Sequence, residues 1–321
     1  MKQVWSEEAG PDAWITPLCD WIRSSVYSTL KKRGGVLGLS GGIDSAVVAA
    51  LSVRALGSER VVALALPEKD STPVSLELAR ALAEKLGIEF LVEEITAGLE
   101  GMGAYLRRDE AVQRIFPEYR PGMPFKITLQ STPLSNDRLH VFAITLVDDH
   151  GREQQKRLGP TEYAQIVAAS NMKQRLRMTM LYYHAELRNY AVLGTGNKNE
   201  HMLGFFVKNG DGSADLMPIL HLLKTQIYQL AEYLEIPQAI IQRKPTTDTY
   251  PAEVTQEEFF FRIPFGIMDK IWLESERGAG SAELASALNL EESQVQRVIE
   301  DIAQKQRATT VLRMPPLEYG R

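Results

Sequence analysis

The sequence predicts an α/β fold, a doubly wound parallel sheet with a small antiparallel β insertion. Short apolar runs are typical of strands buried on both faces, and helical patterns lie between them. The predicted strands are 36–40, 61–66 and 88–92, and the helices between them are 43–56 and 75–86. Strands that alternate with helices at this spacing require right-handed crossovers and form a parallel sheet.

The remaining elements follow from the same patterns. An amphipathic helix is predicted from Ala13 to Lys32, and Gly34 and Gly35 end it. Prolines and alternating runs then suggest antiparallel strands at 125–129, 139–147 and 152–158. A helix at 161–189 and a strand at 190–194 restore the parallel pattern. We therefore expect one domain over 1–321, interrupted by a β-rich insertion at 110–162.

Composition narrows the function classes. The chain has 321 residues, of which 44% are hydrophobic and 24% charged, as in an ordinary globular enzyme. A net charge of −5 disfavours nucleic acid as a partner. The single cysteine, Cys19, excludes an internal disulfide and is expected to be a buried small hydrophobe. With neither a signal peptide nor a transmembrane run, we expect a cytoplasmic protein without a membrane partner.

The most informative segment is a glycine-rich loop between the first strand and the next helix. Two glycines let a pyrophosphate approach the backbone, and two hydroxyls and the free N–H groups of the helix start donate hydrogen bonds to it. The carboxylate in the loop has the wrong charge for phosphate and suits a magnesium ion that bridges phosphates. The predicted ATP-binding loop comprises Gly38, Leu39, Ser40, Gly41, Gly42, Ile43, Asp44 and Ser45.

Two other interpretations of this loop stay open. It is compatible with an ordinary tight turn whose hydroxyl caps the following helix. Its first five residues also fit G-x-S-x-G, the turn that presents a nucleophilic serine in α/β-hydrolases, here Ser40. A hydrolase also needs an acid and a histidine, and the histidine positions suggest none. A Walker loop is excluded, because no Gly-Lys-Ser/Thr follows at the required spacing.

A second polar strand end is predicted beside the first. Thr195 can bind a nucleotide, and Glu200 can supply the second magnesium-binding carboxylate. Lys224, at the start of a helix predicted at 222–234, can reach a leaving phosphate. The loop 206–215 lacks the acidic spacing of an EF-hand and is not expected to bind calcium.

Several other polar or aromatic groups are interpreted as structural. Lys173 and Arg177 share a helix face that Arg175 does not, so the three are not expected to serve one ligand. His184 and His201 lack partners at metal-ligand spacing. The three phenylalanines at 259–261 are expected to pack a helix.

Taken together, these segments resemble ammonia-dependent NAD synthetases, members of the ATP-pyrophosphatase (PP-loop) group with an adenine nucleotide alpha hydrolase-like fold. The resemblance covers 36–87 and 171–269, roughly half of the chain. Its most specific part begins at Leu193 and continues through Gly204-Phe205-Phe206 and Gly210-Asp211-Gly212 to Pro218.

The resemblance implies roles for individual residues. Asp44 and Glu200 match magnesium ligands, and Thr195, Lys224 and Thr246 match ATP-binding positions. Arg175, Lys208 and Asp215 match positions that hold the second substrate, deamido-NAD. In the family, the nicotinate carboxylate attacks the α-phosphorus of ATP, and ammonia then displaces AMP from the adenylate. Asp44 and Lys224 are thus candidate catalytic residues, as is Asp211, which we expect to accept the proton of ammonia.

The chain also departs from the family pattern. The insertion at 110–162 is longer than usual, the C-terminal His-Lys pair is missing from 308–313, and the segment 244–250 matches loosely. Without a nitrilase-like domain, free ammonia or a separate partner is the expected nitrogen source. We expect a homodimeric amide-forming ligase in which Asp44→Ala abolishes turnover and leaves the fold intact. The alternatives are a PP-loop ligase that adenylates another carboxylate, a serine hydrolase and a nucleotide sensor.

Overall fold

A computed structural model describes residues 12–129, 132–135, 142–148, 150–246, 250–252 and 254–319. The strands in chain order are β1 (Gly35–Gly38), β2 (Val61–Ala65), β3 (Glu89–Val92), β4 (Phe125–Leu129), β5 (Phe142–Val147), β6 (Glu153–Arg157) and β7 (Ala191–Val192). The first helices are α1 (Asp12–Ser24), α2 (Ile43–Leu56), α3 (Pro73–Leu86), α4 (Thr96–Gly101), α5 (Ala104–Ile115) and α6 (Pro160–Arg188). The later helices are α7 (Lys198–Leu203), α8 (Lys224–Tyr233), α9 (Gln238–Ile241), α10 (Phe265–Glu276), α11 (Ser281–Leu288), α12 (Glu292–Ala308) and α13 (Thr310–Arg313).

The main sheet is parallel, and its order is β3-β2-β1-β7. Every residue of β2 is buried, which explains why the strand forms a continuous apolar run. A parallel bridge from Leu193 to Leu216 extends the sheet beyond β7. The predicted strands at 36–40, 61–66, 88–92 and 190–194 are thus confirmed within two residues at each end, as is the predicted fold class.

The helices cover the sheet, and α2 packs deepest. Most of its side chains are buried, and Cys19 of α1 lies in the same apolar core, as expected. The first helix is shorter than predicted: α1 ends at Ser24, a π-helical turn follows at Ser25–Thr29, and Lys31 takes a left-handed backbone with φ 55°. In the described ranges, no helix combines the length and apolarity that a membrane span requires.

The antiparallel sheet is a separate layer of order β4-β5-β6. Its inner face buries Phe125, Ile127 and Ile144 against Val112 and Phe116 of the α5 region. Both ends of the insertion predicted at 110–162 lie on helices, since α5 continues to Ile115 and α6 starts at Pro160. Predicted strand residues 139–141 and position 149 of the turn lie outside the described residues.

Candidate active site

A cavity of about 640 Å³ opens at the carboxyl ends of β1, β2 and β7. This is where ligands bind in open parallel sheets, because loops diverge there and helix N-termini point inward. Both predicted strand-end loops reach it, through Gly38 to Ser45 on one side and Thr195 to Glu200 on the other. Thr246 lines the same cavity and pairs with Thr255 in an antiparallel bridge.

The glycine-rich loop is held by its own hydroxyls. Ser45 Oγ donates to the carbonyl of Gly42 at 3.0 Å and lies 3.2 Å from Ser40 Oγ, which accepts the N–H of Gly42 at 3.3 Å. Gly41 has φ +73°, and a Cβ placed there would lie 2.4 Å from the carbonyl oxygen of Ser75. Only glycine satisfies both conditions, so this residue fixes the tight turn that a phosphate loop requires.

Asp44 and Glu200 come together although they lie far apart in the sequence. Asn197 connects them: its side-chain amide donates to Asp44 Oδ1 at 3.3 Å, and its backbone N–H donates to Glu200 Oε2 at 3.1 Å. Lys224 Nζ donates to the other carboxylate oxygen of Asp44 and forms an ion pair with it. The three predicted residues thus form one cluster at the cavity wall.

Lys224 is completely buried, whereas Asp44 keeps 17% of its side-chain surface exposed to the cavity. Burial lowers the pKa of Lys224, but the carboxylates of Asp44 and Glu200 outweigh it and hold the pKa above its ordinary value. Removing Asp44 therefore leaves a buried cation without its partner. We therefore expect Asp44→Ala to destabilise the fold, whereas the sequence alone predicted that it leaves the fold intact.

Glu200 is the electrostatically strained member of the cluster. Burial, with the nearby negative charge of Asp44, raises the pKa of Glu200 to about 8. Gln256 supports it by donating to Oε1 at 3.3 Å. Two carboxylates this close do not both ionise readily without an additional cation, which is the condition that a divalent metal ion satisfies.

Sequence reasoning missed the residues that hold this cluster in place. Asn199 Oδ1 accepts the backbone N–H of Lys224 at 2.8 Å, and its amide donates to buried Asp269 at 2.6 Å. Asp269 also accepts the N–H of Thr225 at 2.8 Å. The N-x-x-E capping box from Asn197 to Glu200 was a usable signal. The contact with α10 had no local signal.

The loop 206–215 contributes Asp211 to the cavity. Its Oδ1 accepts the backbone N–H of Val207 at 2.9 Å, and the residue lines the cavity. Desolvation in the cavity raises the pKa of the Asp211 carboxyl to about 6. At neutral pH the group is ionised and can accept a proton.

The residues predicted for the second substrate separate into two groups. Arg175 and Lys208 both line the cavity and are adjacent, because Arg175 Nε donates to the carbonyl of Lys208 at 3.2 Å. Lys208 Nζ reaches Met314 O at 3.0 Å, so the C-terminal segment closes over this end. Asp215 does not line the cavity: it accepts the N–H of Val192 at 2.7 Å.

The basic residues of α6 have different environments. Arg175 and Arg177 both line the cavity although helical spacing places them on different faces, whereas Lys173 is not among the lining residues. Lys173 is buried and pairs with Glu68 at 3.0 Å and Asp70 at 2.7 Å. The helix thus presents two arginines to the cavity and uses its lysine to hold the loop after β2.

The serine hydrolase interpretation finds no support in the contacts of Ser40. Among the described residues, its hydroxyl contacts Ser45 and Gly42, and no histidine lines the cavity. His184 bonds to Glu93, and His201 stacks on Phe206. His140 lies outside the described residues.

The phenylalanines at 259–261 pack with Phe205 as predicted, and the first two also reach the cavity wall.

The cavity is lined by more basic than acidic side chains. In the described part of the chain, six basic and three acidic side chains line the cavity, although the whole chain carries a net charge of −5. A basic cavity behind a glycine-rich phosphate loop favours polyanionic ligands. The fold and the site therefore have the features of a nucleotide-binding α/β protein, with a glycine-rich loop after the first strand of the parallel sheet.

The NAD synthase family model matches residues 14–116 and 140–310. The chain belongs to the NAD synthase family, which confirms the resemblance inferred from the sequence. It is 46% identical over 305 residues to the NH3-dependent NAD+ synthetase of Mesorhizobium japonicum, covering 95% of each chain. It is 48% identical over 310 residues to that of Rhizobium meliloti, covering 97% of this chain and 91% of the relative.

Solved structures agree on the fold. The NMN synthetase from Francisella tularensis superposes with a TM-score of 0.61 and 24% identity, over 97% of this chain and 99% of that one. The NH3-dependent NAD synthetase from Campylobacter jejuni, in complex with the nitrate ion, superposes with a TM-score of 0.60 and 24% identity. The match covers 95% of this chain and 96% of that one. Residues 117–139, before and within the antiparallel sheet, lie between the two segments matched by the family model.

Proposed function

We propose that this protein converts deamido-NAD to NAD, using ATP and free ammonia and releasing AMP and pyrophosphate. The observation that carries the proposal is the cluster of Asp44, Lys224 and Glu200 beside a glycine-rich loop in a basic cavity. The relatives with 46% and 48% identity are NH3-dependent NAD+ synthetases over nearly the whole chain, and this supports an amide-forming ligase.

ATP is assigned to the glycine-rich loop. Its polyphosphate would accept hydrogen bonds from Ser40, Ser45 and the N–H groups in the first turn of α2, and Lys224 neutralises charge from the buried side. Thr195 and Thr246 line the cavity as further hydrogen-bond donors. Phosphoryl transfer depends mainly on position and charge, which these groups supply without a protein nucleophile.

Asp44 and Glu200 are the proposed ligands of Mg²⁺. Two adjacent carboxylates, one with a pKa raised by burial and by the charge of the other, fit a site that becomes fully ionised when a divalent cation binds. No cluster of three or more His, Cys, Asp or Glu side chains suited to a metal occurs in the described residues. The remaining ligands would be phosphate oxygens and water, as Mg²⁺ prefers. The bound ion would neutralise charge on the phosphates.

The chemistry has two steps. The carboxylate oxygen of deamido-NAD attacks the α-phosphorus of ATP, and the bond to pyrophosphate breaks. Ammonia then attacks the activated carbonyl carbon, AMP leaves with the carboxylate oxygen, and the nitrogen loses a proton. Asp211 is the proposed acceptor of that proton, since its raised pKa of about 6 leaves it ionised but weakly basic at neutral pH.

Deamido-NAD is assigned to the end of the cavity where Arg175 and Lys208 meet. Their positive charges suit a second anionic dinucleotide. Asp215, which matches the family pattern, is assigned here to the support of β7 through its bond to Val192.

We also propose a homodimer, because Tyr183, Leu187 and Leu106 of α6 and α5 leave more than half of their surface exposed.

The test is pyrophosphate and AMP release from purified protein, Mg²⁺ and ATP, with deamido-NAD and a panel of other carboxylates. We expect release only with deamido-NAD, stoichiometric NAD formation and saturation by ammonium. Asp44→Asn is the control, because it keeps the side-chain shape and removes the charge. Release driven equally by another carboxylate would favour a PP-loop ligase of different specificity. ATP binding without turnover would favour a nucleotide sensor.

A further inference from the structure

One cation of the cavity is held in place by hydroxyls and not by a carboxylate. Arg243 follows α9 and lines the cavity three residues before Thr246. Its Nη2 donates to Thr72 Oγ1 at 3.2 Å and to Ser75 Oγ at 2.9 Å, and these two hydroxyls lie 2.9 Å apart. The guanidinium is therefore fixed against the start of α3.

That position adjoins the phosphate loop. The carbonyl oxygen of Ser75 lies 2.4 Å from where a Cβ on Gly41 would stand, so Ser75 touches the loop with its backbone and Arg243 with its side chain. Lys224 approaches the loop through Asp44 at the start of α2. Arg243 reaches it from α3, so the loop has a cation on two sides.

The charge of Arg243 is available to a ligand. Among the described residues, it forms no ion pair with a carboxylate, whereas Lys224 is paired with Asp44. Both hydrogen bonds of its guanidinium use Nη2, so Nε and Nη1 have no acceptor in the described part of the chain. Each of these two nitrogens can therefore donate a charge-assisted hydrogen bond to a phosphate oxygen.

We propose that Arg243 binds the pyrophosphate portion of ATP, and pyrophosphate itself as it leaves. This inference rests on the proposed function, because that function places the triphosphate on the loop. Negative charge accumulates on the pyrophosphate oxygens as the bond to the α-phosphorus breaks, and a fixed cation stabilises that charge most. The two hydroxyls orient the guanidinium beforehand, so little is lost in ordering it.

Direct binding tests this assignment without turnover. Inorganic pyrophosphate with Mg²⁺, and AMP separately, are titrated calorimetrically into the wild type, Arg243→Ala and Arg243→Lys. We expect Arg243→Ala to weaken pyrophosphate about 10- to 100-fold, as for loss of a hydrogen bond between charged groups, and to leave AMP within about twofold. Arg243→Lys should be intermediate, because lysine keeps the charge and loses the planar guanidinium that the two hydroxyls orient.

Two further variants make the result decisive. Arg277→Ala removes an exposed arginine that pairs with Glu274 outside the cavity, and it should leave pyrophosphate binding unchanged. Thr72→Val removes one of the two hydroxyls that hold the guanidinium and should weaken pyrophosphate mildly, in the same direction. If Arg243→Ala does not fold, Arg243→Lys and Thr72→Val decide the test.

Unchanged pyrophosphate affinity in the Arg243 variants would overturn the assignment. So would an equal loss for AMP and pyrophosphate, because that indicates a general disturbance of the cavity. Arg243-dependent pyrophosphate binding in a wild type without deamido-NAD-dependent turnover would refute the proposed function and leave this assignment standing.

Discussion

Binding of Mg²⁺ to the unliganded protein should release a proton from Glu200. The carboxyl has a pKa of about 8, because it is buried and next to Asp44. A carboxylate coordinates metal only after losing its proton, so metal and proton compete for the same oxygen atoms. Since the pKa is raised, the competition persists through neutral pH and ends above about pH 8.

The number of protons released per bound Mg²⁺ follows from the pKa of Glu200. With a pKa of about 8, Glu200 is about 90% protonated at pH 7, so each bound Mg²⁺ should release about 0.9 proton. The ionised fraction increases about ninefold between pH 6 and 7 and about fivefold between pH 7 and 8. The dissociation constant for Mg²⁺ should fall by the same factors.

Isothermal titration calorimetry in two buffers with different ionisation enthalpies measures the released protons directly. The matched variant Glu200→Gln keeps the size of the side chain and removes the titrating group, so its proton release should vanish and its Mg²⁺ affinity should become weak. No proton release from the wild type at pH 7 would refute the reasoning. Release that persists in Glu200→Gln would assign the proton to another group.

Three further predictions concern the loop and its supports. Asp44→Asn should lower turnover about 10²- to 10³-fold in initial-rate assays, and it should be less destabilised than Asp44→Ala, which leaves buried Lys224 without a bonding partner. Lys173→Met should lower the free energy of unfolding in urea by about 3–5 kcal/mol, because buried Glu68 loses its ion-pair partner and buried Asp70 is left with Arg108. Gly41→Ala should cost about 1–3 kcal/mol of stability through its positive φ and its contact with Ser75, and ATP binding measured by calorimetry should weaken.

Each of these three predictions has a control or an outcome that would contradict it. Arg277→Ala breaks an exposed ion pair and should change the unfolding free energy by less than about 1 kcal/mol. A Lys173→Met variant that matches it would show that the buried ion pairs contribute little. Wild-type turnover in Asp44→Asn would remove this carboxylate from the metal site. Unchanged ATP affinity in Gly41→Ala would mean that the loop does not approach the phosphates.

The sequence by itself determined the parallel sheet, the bounds of α2 and the position of the glycine-rich turn before it. Each depends on neighbouring residues: apolar runs for buried strands, helical spacing, and glycines at a sharp turn. The N-terminal helix was predicted too long, because periodicity continued where the backbone changes to a π-helical turn at Ser25–Thr29. Even there, the local pattern located the element and missed only its end.

Only the tertiary structure decided which charged groups meet. Lys224 and Asp44 are separated by 180 residues, and no spacing rule predicts their contact. Arg175 and Arg177 both line the cavity despite their different faces on α6, which helical spacing alone does not predict. Arg243 reaches the loop only because α3 and the segment after α9 converge on it. Long-range packing sets such contacts, whereas local propensity sets the elements that carry them.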